Sequence, residues 1–169
     1  LGNKDIGFIS DYKTSEDRNG ARYGKYELSS FLPEKTPGGA ARPSSKGSPL
    51  NSFLKFTTFS KQFEGLKPGT DEFDSKWSDI SSTNNFAFGL DQDNFIKRNY
   101  YDSMVSNLQR KGIDLKKFGP SVQSLAYTTA LQSGPAGGAT VFKKALDGKN
   151  SINDNDILES VGEFKKANA

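Results

Sequence analysis

The sequence predicts a mainly α-helical fold with a small N-terminal β-hairpin and a long irregular loop. Three observations carry this. From about residue 48 onward, apolar residues recur at three- and four-residue intervals. The one brief strand-like run is Arg22-Tyr23-Gly24-Lys25-Tyr26-Glu27-Leu28. Between Ser29 and Ser52, thirteen of 24 residues are Ser, Gly or Pro, which favour turns over regular ladders.

Taken in order, the hairpin comes first and the Ser29–Ser52 loop follows it, expected to lie across the surface of a single domain. Ser48-Pro49 then supplies a cap and a first-turn proline for a helix bearing Leu50, Phe53 and Leu54. Thr70 heads a second helix, read as a capping box, with Phe73, Trp77 and Ile80 on one face. A third runs from Asp91 to Lys111 through Phe95, Ile96, Tyr100, Met104, Val105 and Leu108, and stops at Gly112. Pro120 opens a fourth, with Val122, Leu125, Ala126, Thr129 and Ala130 inward, ended by Gly134-Pro135. A short helix from about Gly138 to Leu146 and a last one capped by Asn153 or Asp154 complete the chain. Phe73, Trp77, Phe95 and Phe142 are expected in the core.

The 169 residues suit one domain. Only 33% are hydrophobic, but 13 Phe, 6 Tyr and one Trp raise the area each core position can bury. There is no His and no Cys, which excludes disulfides, thiolate or imidazole metal sites, a Cys nucleophile and a Ser-His-Asp triad. No cofactor and no metal is expected. No run approaches the roughly 18 apolar residues of a membrane span, so no membrane insertion is expected either. A chain opening on Leu1 rather than Met is read as a piece of a longer protein.

The net charge of +3 is uneven. Residues 1–60 hold 9 Lys+Arg and 6 Asp+Glu (9 − 6 = +3), while residues 61–169 hold 14 of each (14 − 14 = 0). So mild an excess does not point to nucleic acid, and would suit an anionic polymer such as a bacterial cell wall.

Whatever catalysis such a chain performs falls to carboxylates, hydroxyls, amides, Lys or Arg, or to a cofactor they hold, and the alternative is that it catalyses nothing. Glu16, Asp17 and Glu27 lie within a short polar stretch, where one could act as general acid and a second carboxylate on the other side of a glycosidic bond; Tyr12, Tyr23 and Tyr26 could supply the apolar wall that raises an acid's pKa. The polar line Gln123, Thr128, Thr129 and Gln132 on the fourth helix either lines a sugar cleft or bonds to a neighbouring loop.

Several of these segments resemble one family. Tyr23-Gly24-Lys25-Tyr26-Glu27-Leu28-Ser29-Ser30, then Asp91-Gln92-Asp93-Asn94-Phe95-Ile96-Lys97 with Tyr100-Tyr101-Asp102, then Val122 to Pro135, and finally Asp154-x-Asp156-Ile157, are similar in order to lysozyme-like peptidoglycan-degrading domains of tailed-phage particles and related secretion spike proteins. The resemblance implies a helical lysozyme-like domain in the phage virion, muramidase or lytic transglycosylase in type, which cleaves the MurNAc-GlcNAc strand in the host periplasm or wall. Its implied partners are peptidoglycan and other virion proteins. Tyr23, Tyr26, Tyr127, Thr129 and Gln132 would contact the glycan. Lys13 stands where the family has its catalytic Glu, and a protonated lysine is a poor acid near neutrality. Either Glu16 or Glu27 therefore takes the acid role, or the domain is a catalytically inactive structural component.

Overall fold

A computed structural model describes residues 4–10, 20–30, 32–34, 42–44, 47–149 and 152–169, the strands at 32–34 and 42–44 by backbone alone. The chain divides into two compact units, Leu1–Phe95 and Ile96–Ala169, each with its own core. The expected mainly helical class holds, as does the N-terminal hairpin.

In the first unit, β1 (Arg22–Tyr23) pairs antiparallel with β2 (Leu28–Ser29), Arg22 opposite Ser29 and Tyr23 opposite Leu28, and Ile9 bridges to Tyr23. The Ser29–Ser52 stretch, expected to be irregular, contains a second antiparallel hairpin. There β3 (Leu32–Glu34) faces β4 (Arg42–Ser44), with Pro33 opposite Pro43. A two-stranded ribbon tolerates proline because each strand keeps an outward edge that needs no ladder donor, so proline content misleads here.

Helix α1 (Pro49–Phe56) begins as its sequence dictates: the Ser48 hydroxyl accepts from the Asn51 amide at 3.1 Å, and Pro49 occupies the first turn. A 3-10 turn (Ser60–Phe63) leads to α2 (Asp71–Thr83), where the Thr70 side chain accepts from the Phe73 amide and Asp71, Glu72 and Asp74 complement the positive end of the helix. Only half of the expected capping box forms, since position N3 is Phe73. The stripe Phe73, Trp77 and Ile80 is buried, as its spacing predicts. Trp77 sits among the rings of Tyr23, Phe53, Phe63, Phe73 and Phe88, with centroids 4.7 to 6.3 Å away. A few large rings thus build a core that aliphatic content alone would leave small. Helix α3 (Asn85–Ile96) follows.

The second unit takes the chain through a π-helical turn (Lys97–Asp102) into α4 (Ser103–Arg110). The helix expected over 91–111 therefore begins earlier and is widened in its middle. One extra residue in a turn leaves three- and four-residue spacing nearly intact, so periodicity does not reveal it. After a 3-10 turn (Leu115–Lys117) comes α5 (Pro120–Ala145), interrupted at Gly134, whose φ of 71° and ψ of 168° are not helical. The expected break at Gly134-Pro135 is present, but the second segment resumes directly after it. Gly138 lies inside that segment, where a Cβ would stand 2.7 Å from Met104 Sδ; it permits close helix approach rather than starting a helix. Helix α6 (Asp154–Ala167) carries a reciprocal capping box between Asn153 and Asp156. Met104, Leu108, Leu115, Val122, Ala126, Ala130, Phe142, Ile157 and Val161 form this unit's core.

Candidate functional site

The densest polar arrangement among the described residues surrounds the turn between β1 and β2. Gly24 has φ 76° and is buried, and a Cβ there would lie 2.5 Å from Gln92 Oε1 and 3.0 Å from Trp77 Cζ2. Glycine is required twice over, by conformation and by space. The Gly24 amide donates to the Phe8 carbonyl at 2.7 Å. Beneath it, the fully buried Gln92 of α3 accepts from the Lys25 amide at 2.9 Å and donates to the Ile6 carbonyl at 3.3 Å. Trp77 Nε1 donates to the same carbonyl at 3.1 Å. One turn of chain is thus tied to α2, α3 and the segment around Ile6.

Asp93, next on α3, accepts from Lys25 Nζ at 3.0 Å and from the Tyr26 hydroxyl at 2.6 Å through one oxygen. Asp91 accepts from the Thr57 and Thr58 hydroxyls and the Thr58 amide at 2.7 to 2.8 Å, fastening the end of α1. Glu27 follows Tyr26 with φ 52°, the one non-glycine residue in the left-handed region among the described residues. Its side chain is half-buried.

The residues expected to form a site fall into separate groups. Glu16, together with Tyr12 and Lys13, lies outside the described residues. Tyr23, Tyr26 and Glu27 belong to the first unit; Tyr127, Thr129 and Gln132 belong to the second. Tyr23, expected to touch a glycan, has no exposed surface; its hydroxyl donates to Asp74 Oδ1 at 2.6 Å and accepts from the Gly69 amide at 2.7 Å. Thr129 is likewise fully buried and donates to the Leu125 carbonyl at 2.7 Å. As placed, both hold elements together and present no face to a ligand. Tyr127 is half-buried with its ring 5.9 Å from that of Tyr101, whose hydroxyl meets Gln123 Oε1 at 3.3 Å. Gln132 is exposed, and its oxygen receives Lys165 Nζ at 2.6 Å.

Burial, and then the hydrogen bond to Asp74, push the Tyr23 hydroxyl far above its ordinary pKa of 10.0, the Gly69 amide opposing in part. Folding strengthens the preference for the protonated form over that of the unfolded chain, so this contribution is complete below about pH 10 and is lost as pH rises above it. Stability measured by urea unfolding is expected to fall between about pH 10 and 12, and less steeply in Tyr23→Phe. Parallel pH profiles of the two proteins would refute this assignment.

Gln92, Asp93 and Asp74 are organising residues that sequence pattern does not single out. One signal was present: Gln92 falls at helical spacing between Phe88 and Phe95, and an amide on an apolar stripe needs partners if buried. Among the described residues, no group of three or more Asp or Glu is arranged to hold a metal ion. No helix there is long and apolar enough to cross a membrane.

Residues 2–169 match the family described as type VI secretion system spike protein VgrG3-like, C-terminal. The type VI secretion system spike protein VgrG3 of Vibrio cholerae serotype O1 is 32% identical over 154 residues, a match that covers 90% of this chain and 14% of that protein. This chain thus spans about one seventh of the relative's length.

These matches correct the expectation of a lysozyme-like phage-virion domain that cleaves peptidoglycan, and with it the inactive phage component, the virion partners and the phage localisation. Peptidoglycan as partner, inferred from the resemblance and the +3 charge, has no support in them. The physical reason for the error is visible in the fold. The segments that carried the resemblance supply Tyr23, Gly24, Gln92, Ala126 and Ile157, all of which are packing and turn residues. Such residues serve packing and turns and say little about chemistry. Through a match that runs almost from end to end, the chain belongs to the family of VgrG3-like C-terminal regions of type VI secretion system spike proteins.

Proposed function

We propose that this chain serves as the C-terminal module of a type VI secretion spike protein, travelling with the spike and associating with other proteins of the secretion system. The observation that carries this reading is the extent of the family match, which takes in both units. Two separately cored units with capped helices suit an extension that must keep its fold when displayed on a larger protein. In secretion-competent cells, the tagged parent protein is expected to reach the medium with this module attached and to co-purify with its spike partners. Retention of the module inside such cells, or equal release from cells whose secretion apparatus has been deleted, would sink the proposal.

A second reading, that the module is also an enzyme working through a carboxylate, is supported by Glu27. Left-handed backbone at a non-glycine residue costs about 1 to 2 kcal/mol, and such strain recurs at functional positions. The turn holds Glu27 beside a Tyr26 fixed by Asp93, an arrangement that could aim a general acid or base. Against a panel of polysaccharide and peptide substrates, Glu27→Gln is expected to lose at least about 100-fold in rate. Glu27→Gly should abolish turnover yet raise thermal stability, because glycine relieves the strained φ. Full activity in Glu27→Gln, or lower stability in Glu27→Gly, would remove Glu27 from this role.

A further inference from the structure

The first unit holds a cavity of about 300 Å³ between α1, the 3-10 turn at Ser60–Phe63 and the chain just after β2. Leu50, Leu54, Phe63 and Leu66 supply its apolar lining. Its polar groups set it apart from a packing defect. Ser30 lines it and is only 4% exposed, yet the Ser30 hydroxyl has no hydrogen-bond partner among the described residues. A buried hydroxyl without a partner costs free energy, and folded chains keep few of them. The Asn51 side-chain amide and the Ser60 hydroxyl line the same cavity and are likewise unpartnered among the described residues. Their neighbours are all engaged: Ser48 caps α1, and Thr57 is tied to Asp91.

The charges at the rim narrow the choice of ligand. Lys55 and Glu64 both line the cavity, both are exposed, and neither is ion-paired among the described residues. A polyanion such as nucleic acid, or an anionic lipid surface, would be repelled by Glu64 as much as it is attracted by Lys55. Two hydroxyls and an amide can each donate and accept, which matches the one N–H and one C=O of a peptide group. The apolar lining suits a hydrocarbon side chain. At about 300 Å³ the cavity is at the small end for a ligand site, with room for one anchoring residue rather than a bulky cofactor.

We propose that this cavity receives a peptide segment of a partner protein, one apolar side chain entering against Leu54 and Leu66 while Lys55 and Glu64 pair with opposite charges on its two flanks. The Ser30 hydroxyl then finds its missing partner in the backbone of the anchoring residue. Such a site deepens, and rests on, the reading of the module as one that associates with other proteins of the secretion system.

The test uses the 169-residue chain, titrated with the end-blocked tripeptides Asp-Leu-Lys and Lys-Leu-Asp and followed by the amide resonances of residues 48–68. The same tripeptides with serine in place of leucine, and free leucine, are the comparisons. One leucine tripeptide should give saturable shifts and bind at least about tenfold more tightly than any comparison. Ser30→Ala should weaken that binding by about three- to tenfold, the worth of one hydrogen bond. It should melt at the same or a higher temperature, because it deletes a hydroxyl that the fold does not use. Lys55→Glu/Glu64→Lys should reverse which tripeptide order is preferred, a change that a merely structural role would not produce. No saturable shift with either leucine tripeptide, or binding unchanged by Ser30→Ala or by the charge exchange, overturns the proposal. Free leucine binding as tightly as the tripeptides also overturns it, by making a free amino acid the ligand. So does a lower melting temperature in Ser30→Ala, which would give the hydroxyl a structural partner. A module that is secreted with the spike while no tripeptide binds defeats the cavity alone; tripeptide binding without secretion defeats the module reading and leaves the cavity a peptide site.

Discussion

Trp77→Ala is expected to lower the stability of the first unit by about 3 to 5 kcal/mol. Trp77 is fully buried and stands among the rings of Tyr23, Phe53, Phe63, Phe73 and Phe88. An alanine leaves a void that these stiff planar rings cannot collapse to fill. The change also removes a donor from the Ile6 carbonyl, leaving Gln92 to satisfy it alone. Against a total of about 5 to 15 kcal/mol for a protein of ordinary stability, the loss puts the folded state at risk. The melting temperature followed by far-ultraviolet circular dichroism should fall by roughly 10 to 15 °C. Trp77→Phe keeps most of the buried area and should fall much less. A drop below about 5 °C for Trp77→Ala would show that the aromatic cluster is not the centre of the unit.

Gly24→Ala, the addition of one methyl group, is expected to cost about 3 kcal/mol. Part is conformational, since φ 76° is unfavourable for any L side chain. The rest is steric and polar: the new Cβ would lie 2.5 Å from Gln92 Oε1, so the buried amide must move and lose its bond to the Lys25 amide. A buried polar group without its partner is expensive. Melting should fall by roughly 6 to 12 °C. Hydrogen exchange should localise the damage to residues 20–30 and α3. Gly112→Ala offers a control: its φ is 85°, but nothing lies within 4 Å of a Cβ there, so only the conformational part applies. Equal losses in the two variants would mean that Gln92 does not brace the turn.

The contrast between what was legible in the sequence and what was not follows from the range of the interactions involved. The Ser48 and Thr70 caps, the Asn153 start, the Phe73-Trp77-Ile80 stripe and the break at Gly134-Pro135 all depend on residues within four positions of one another. The hairpin across Pro33 and Pro43 was hidden because composition registers the missing donor and not the edge on which it is harmless. Tyr23 and Thr129 suit ligand contacts on sequence alone because tyrosine and threonine serve both cores and clefts; only the packing of α2 over β1, and of the α5 backbone around Thr129, shows both hydroxyls already engaged.

Sequence alone determined the helical class, the caps and breaks, the aromatic core, and a chemistry confined to carboxylates, hydroxyls, amides, Lys and Arg by the absence of His and Cys. These are properties of local spacing and inventory. Tertiary structure decided that Gln92 and Asp93 anchor a turn 67 and 68 residues away, that Glu27 carries a strained backbone, and that Phe86 and Leu90 stay exposed on α3. No short-range pattern encodes these facts, because each depends on which distant surface the folded chain brings alongside.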